Sequence, residues 1–176
     1  MPDHTIAAAR QADVQHLPAI EIAAARLLVG HASETVLAEV TPLSVLRAAQ
    51  AAGRLWVALH EDRPVGFAHV EIVEPTEAHL EELDVHPDHG RRGLGSALVA
   101  EVCRWAATNR YTAVTLTTFR DVPWNMPFYA RLGFEEVAAD TLSPALQAVR
   151  KDEMRRGLDP SRRVVMRYPV LAPNVA

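Results

Sequence analysis

Apolar and polar positions change period several times along the 176-residue chain, and each change marks an element. Residues 5–9 predict an opening strand. Residues 13–29, rich in Ala, Leu and Ile, predict a helix with Asp13 as N-cap and Gly30 as its stop. A second helical stretch starts at Ser33 or Thr35, takes in Thr41-Pro42 as a cap with Pro at the first helical position, and ends at Gly53. The period then drops to two. Residues 55–59 and 65–73, joined by the turn Glu61-Asp62-Arg63-Pro64, predict a hairpin. A strand over 79–85 sets Leu83 and Val85 on one face and Glu82 and Asp84 on the other, and His86-Pro87-Asp88-His89-Gly90 breaks it. Residues 93–108 repeat Leu94, Leu98, Val102 and Trp105 along one stripe, the inner face of an amphipathic helix. A strand over 113–119 follows, then a short helix over 125–132 closed by Gly133. The chain ends with a strand over 134–137, a helix from the cap Ser143-Pro144 to Gly157, and a strand over 163–168. This alternation, entered through a hairpin, predicts an α/β fold (α+β in some schemes): a mixed sheet of about six to seven strands with helices on both faces.

Composition narrows the function. The length suits a single domain, placed at 4–170, with 171–176 as a flexible tail. Hydrophobic residues at 49% and charged residues at 23% are ordinary for a globular protein. The formal net charge of -4 argues against nucleic acid as a partner. No apolar run approaches the roughly 20 residues that span a bilayer, and the N-terminus does not read as a signal peptide. The expectation is a cytoplasmic protein with no membrane partner. The lone cysteine, Cys103, excludes an internal disulfide and any multi-Cys metal site, and beside the core stripe it reads as an inert buried thiol. His86-Pro87-Asp88-His89 hints at a metal, but the run sits in a turn without a helical i, i+4 pair. Surface histidines and no metal are expected there. Arg162-Arg163 reads as a solvated strand edge, or a phosphate contact at best.

The most informative segment is Leu83-Asp84-Val85-His86-Pro87-Asp88-His89-Gly90-Arg91-Arg92-Gly93-Leu94-Gly95-Ser96. A strand runs into a Gly- and Arg-rich turn that opens a helix, which is an anion site. Free N–H groups at a helix N-terminus point outward, and the helix dipole adds partial positive charge. Gly93 and Gly95 clear the approach to the backbone, while Arg91 and Arg92 add charge and donors. A P-loop would need Gly-Lys-Ser/Thr, which is missing. A Rossmann loop would need glycine where Leu98 stands and an acid about 20 residues on, where residues 111–116 offer none. Coenzyme A is the remaining reading.

These residues resemble the signature of the GNAT superfamily of N-acetyltransferases, Gln/Arg-x-x-Gly-x-Gly/Ala after a strand ending in an apolar-Val-x-Pro pattern. Here it reads Gly90-Arg91-Arg92-Gly93-Leu94-Gly95 after Leu83-Asp84-Val85-His86-Pro87, with Gly90 in place of the first Gln or Arg. A second segment, Asn125-Met126-Pro127-Phe128-Tyr129-Ala130-Arg131-Leu132-Gly133-Phe134, looks like the family's Asn…Tyr-x-x-x-Gly-Phe. The resemblance runs from Ile6 to Tyr168. It implies the GNAT fold, with the sheet splayed between its fourth and fifth strands and acetyl-CoA in the splay as co-substrate. The pantetheine arm would pair with the backbone of Leu83 and Val85. The pyrophosphate would meet Arg91, Arg92, Gly93, Leu94, Gly95 and Ser96, and Asn125 would share the helical face of Tyr129.

The implied chemistry is acetyl transfer to a primary amine by direct attack in a ternary complex. The acceptor would be a small amine or a peptide N-terminus. Tyr129 is positioned to protonate the leaving thiolate. The ammonium must lose a proton, to a Glu or through a water chain. Glu82 is chosen as base because Glu81 shares a face with Leu83 and Val85; a local bulge would reverse that choice, and Asp84 and His79 are the next candidates. The Val85 N–H is a candidate oxyanion donor. The helix over 143–158 is an insert between the last two strands, expected to wall the acceptor pocket or to pack against a second subunit in a homodimer. A GNAT-like module that binds acyl-CoA and regulates without turnover is the alternative.

Overall fold

Seven strands, β1 (His4–Ala8), β2 (Leu55–His60), β3 (Arg63–Glu74), β4 (Glu77–Val85), β5 (Ala113–Phe119), β6 (Glu135–Val137) and β7 (Arg163–Pro169), form one sheet in the computed structural model, which describes residues 4–170. The tail expected at 171–176 lies outside the described residues. The strand order is β1-β2-β3-β4-β5-β7-β6, antiparallel except for the parallel pair β4–β5. This is the predicted mixed sheet.

The helices are α1 (Leu17–Ala25), α2 (Glu34–Leu37), α3 (Leu43–Ala51), α4 (Leu94–Thr108), α5 (Met126–Arg131) and α6 (Pro144–Arg155). They divide between the two faces. On one, Leu94, Leu98 and Val102 of α4 pack with Val70, Leu80, Leu116 and Met166 of the sheet, and Met126, Phe128 and Tyr129 of α5 close the same core. On the other, Leu17 and Ile20 of α1 and Leu46 of α3 pack on Val57 and Phe67. No helix among the described residues is long and apolar enough to cross a membrane.

The predicted helix over 13–29 is shorter than expected, and Pro18 gives the reason. A proline inside a helix clashes with the carbonyl four residues back, so α1 admits Pro18 only in its first turn. Residues 14–16 and 26–28 are 3-10 turns instead. Asp13 does not cap; its carboxylate accepts from the Arg10 backbone N–H and guanidinium at 2.8 Å. Pro42 likewise holds the N-cap of α3 rather than its first position. The residue before a proline avoids helical backbone, and Thr41 turns its N–H and hydroxyl to the Glu21 carboxylate at 3.0 and 3.1 Å. Ser33 and Ser143 cap α2 and α6 as their sequences suggest.

Two irregularities shape the sheet around β4. Between β3 and β4 the register passes from His69↔Glu82 to Val70↔Leu80, so Glu81 is an extra, bulged residue. Between β4 and β5 only four pairs form, Glu77↔Ala113 to Leu80↔Leu116. Beyond the bulge the two strands part, as the splay requires.

Candidate active site

The parting of β4 from β5 leaves one edge of β4 open. The His86 N–H bonds to the Val65 carbonyl at 2.8 Å, and Gly66↔Val85, Phe67↔Asp84, Ala68↔Leu83 and His69↔Glu82 continue in register. Bonded and non-bonded pairs alternate in an antiparallel ladder. Glu82 and Asp84 therefore spend their backbone groups on β3, and Leu83 and Val85 turn theirs toward the opening. The two residues read from the sequence as a backbone platform are those whose N–H and C=O face the gap.

At the end of β4 the chain passes through a 3-10 turn, Pro87–His89, and enters α4 through Gly93, its N-cap, whose φ of 77° is left-handed. Glycine accepts that conformation without cost, and Arg91, at φ 56°, shares it. The first intrahelical bond runs from Ala97 to the Gly93 carbonyl at 3.0 Å, so the N–H groups of Leu94, Gly95 and Ser96 have no helical acceptor. Arg91 and Arg92 are exposed beside them. Gly95 has a packing role as well: a Cβ there would lie 3.3 Å from Phe128 Cζ, so the glycine lets α4 approach α5.

Tyr129 lies on α5, its ring edge-on to Phe128 and Phe134 at 5.0 and 5.8 Å. Burial, with the charges of Glu82 and Asp84 behind it, raises its pKa and keeps the phenol protonated. Tyr129 sits on the α4 side of the sheet and the carboxyls on the other, yet they sense each other where the strands part. Asn125 is not within the helix as expected. It is the N-cap, its carbonyl accepting from Phe128 and Tyr129 N–H at 2.9 and 3.2 Å while its side chain makes no capping bond.

The bulge revises the reading of the carboxylates. Cross-strand partners share a face, so Leu80, paired with Val70, and Glu82, paired with His69, lie on opposite faces although two residues apart. Glu81 leaves the face of Leu83 and Val85. It lies 3.7 Å from His79 Nε2 and feels the α6 residues Asp152 and Glu153. Glu81, Glu82 and Asp84 are therefore gathered on the α1 and α6 side. Glu82 and Asp84 are close enough for the Asp84 charge to act on Glu82. Burial first, and neighbouring negative charge second, raises both, Asp84 to about 8 and Glu82 well above its usual range. Glu21 of α1, buried against Thr41, adds its charge to both. The sequence held a signal for Glu21: it is the one charged residue in Leu17-Pro18-Ala19-Ile20-Glu21-Ile22-Ala23-Ala24-Ala25. His79, a runner-up for the base, is buried with Nδ1 2.9 Å from Thr115 Oγ1, and burial drops its pKa to about 4. Cys103 is pushed up to about 11 by burial, in line with an inert thiol.

Helix α6 lies on the α1 side of β5 and β7. Glu153 of α6 is buried, accepts from the Thr117 hydroxyl and pairs with Arg163 at 2.5 Å. Arg162 pairs with Asp121 at 2.9 Å and donates to the His31 carbonyl. These two arginines are thus held by partners rather than forming a solvated edge. Past α6, Gly157, Leu158 and Arg162 face Gly30, His31 and Val36 across a cleft of about 290 Å³, floored by Phe119 at the end of β5.

The sequence matches the acetyltransferase (GNAT) family over residues 24–134. The fold is similar to that of the PaiA N-acetyltransferase of Thermoplasma acidophilum, solved in complex with coenzyme A. The two share 15% identity at a TM-score of 0.74, covering 94% of this chain and 98% of that one. It is also similar to Ard1 of Thermoplasma volcanium (20% identity, TM-score 0.69, covering 96% and 99%). The ribosomal-protein-S18-alanine N-acetyltransferase of Escherichia coli matches too (19% identity, TM-score 0.66, covering 98% and 99%).

Proposed function

The chain belongs to the acetyltransferase (GNAT) family, and we propose that it transfers the acetyl group of acetyl-CoA to a primary amine by direct attack in a ternary complex. One observation carries this reading. The gap between β4 and β5 brings together an open backbone edge, a helix N-terminus behind a left-handed glycine, a protonated tyrosine and a carboxyl pair of raised pKa.

Coenzyme A fits this gap by chemistry. Its pyrophosphate suits the N–H groups of Leu94, Gly95 and Ser96, supported by Gly93, Arg91 and Arg92. Its pantetheine amides suit the free backbone of Leu83 and Val85, as an added strand would. Asn125, the N-cap of the helix that carries Tyr129 and with no capping bond of its own, is the side chain assigned to the same groove. On the opposite side, the Glu82–Asp84 pair faces an incoming ammonium. A carboxyl of raised pKa accepts a proton from an ammonium better than an ordinary one does. Glu82 is the base in this reading, with Asp84 tuning it. The amine then forms the new C–N bond, the Val85 N–H stabilises the oxyanion, and as the C–S bond breaks Tyr129 gives its proton to the departing thiolate and recovers one from the second proton that the amine nitrogen loses. Crowded carboxyls suit a cationic acceptor, either a small amine or a peptide N-terminus. The cleft beside Leu158 is where the insert would wall it.

The test is release of free thiol from acetyl-CoA against a panel of small amines and peptides. Tyr129→Phe is expected to lower kcat by about tenfold or more while the acetyl-CoA KM stays within about twofold. Unchanged kcat removes Tyr129 from the reaction. Binding of acetyl-CoA without thiol release for any acceptor points instead to a non-catalytic regulatory module.

A further inference from the structure

A second cluster lies apart from this site, at the outer edge of the sheet. His4 opens β1, and His60, its registered partner, closes β2. The 3-10 turn at the end of β4 lays His89 onto both. The His4 and His60 rings stack at 4.7 Å, and His89 sits 5.0 Å from His60 and 5.3 Å from His4, centroid to centroid. His4 Nε2 and His89 Nδ1 are 3.0 Å apart, and one nitrogen from each of the three rings lies within 4.8 Å of the other two. All three residues are half-buried, fixed by strand pairing or by the turn.

Ligand nitrogens about 2.0–2.1 Å from a tetrahedral metal stand roughly 3.3 Å from each other. The triad is already near that spacing, so small side-chain rotations would complete it. Three imidazoles with no carboxylate among them suit zinc, cobalt, nickel or copper and do not suit magnesium or calcium, which take oxygen ligands. We propose that His4, His60 and His89 form a three-histidine site for a divalent transition-metal ion of the zinc class. The turn that carries His89 leads directly into Gly90–Gly93, so the ion would fasten the start of that loop to the edge of the sheet. The histidine run at 86–89 does not show this by itself, because the partners of His89 come from strands distant in sequence.

Calorimetric titration of metal-free full-length protein with zinc is expected to show one equivalent bound, with a rise in melting temperature. His60→Ala and His89→Ala should each weaken binding at least tenfold. Cobalt gives a second readout, the visible absorption of a tetrahedral site, which should be lost in the double variant. His89→Gln, at a turn, guards against misfolding: its urea midpoint without metal should equal that of the wild type while zinc binding falls. Failure of the wild type to bind zinc, or equal affinity and cobalt absorption in the His60→Ala/His89→Ala variant, would overturn the proposal.

Discussion

Asp84 shows most plainly how a single residue ties stability to chemistry. Half-buried, with its carboxyl turned inward and the Glu21 charge nearby, it has a pKa raised from the ordinary 3.8 to about 8. The folded state then binds more protons than the unfolded chain between those two values, so stability falls as pH rises across that window. Asp84→Asn removes this contribution. Its melting temperature is expected to change less between pH 5 and about 8 than that of the wild type, measured by thermal melts at constant ionic strength. Parallel slopes would show that the pair ionises normally when folded. Much of this neighbourhood was legible in the sequence. Alternation put Glu82 and Asp84 opposite Leu83 and Val85, and motif position singled out Tyr129 and the Gly90–Gly95 loop. The bulge at Glu81 was not legible, because only the pairing with β3 reveals which residue has no partner. Neither was the histidine triad, whose members meet only through strand register and one turn.

At the scale of elements, α4 was read almost to the residue, since a 3.6-residue stripe ending in a glycine turn leaves little choice. Two proline boundaries went the other way: Pro18 and Pro42 shortened helices that composition alone extended. The insert was visible as a capped helix, but what it covers was not. Its inner face carries Glu153, which joins the Thr117 hydroxyl and the Arg163 guanidinium in a site that water barely reaches. Removing the whole helix would therefore strip a buried arginine of its counter-charge as well as altering the cleft. Removing one partner of a buried ion pair costs roughly 3–5 kcal/mol. Glu153→Ala should accordingly lower the urea midpoint strongly, and Arg163→Met combined with it should recover part of the loss. A Glu153→Ala midpoint within error of wild type would mean the pair contributes nothing. Substitutions at Leu158, on the cleft side, are the better probe of acceptor preference.

For the molecule as a whole, the decisive feature is that its two sheet halves, β1–β4 and β5–β7, are joined along the sheet by four residue pairs between β4 and β5. Past Leu80 the ladder is interrupted, and Leu83 and Val85 direct amides into the gap without the cover of a neighbouring strand. A ligand that supplies the missing strand would bond to both halves at once and stabilise the folded state by mass action, about 2.7 kcal/mol at a concentration one hundred times its Kd. Hydrogen exchange distinguishes this from a ligand that merely touches the phosphate loop. In the free protein the amides of Leu83 and Val85 should exchange much faster than those of Glu82 and Asp84, which bond to β3. Acetyl-CoA should slow Leu83 and Val85 selectively while the melting temperature rises. Desulfo-coenzyme A should still slow Leu83, which meets a pantetheine amide, but should slow Val85 less than acetyl-CoA does, because the Val85 N–H also meets the thioester carbonyl. A rise in melting temperature with no change at Leu83 and Val85 would place the ligand at the α4 N-terminus alone and leave the splay without its assigned occupant.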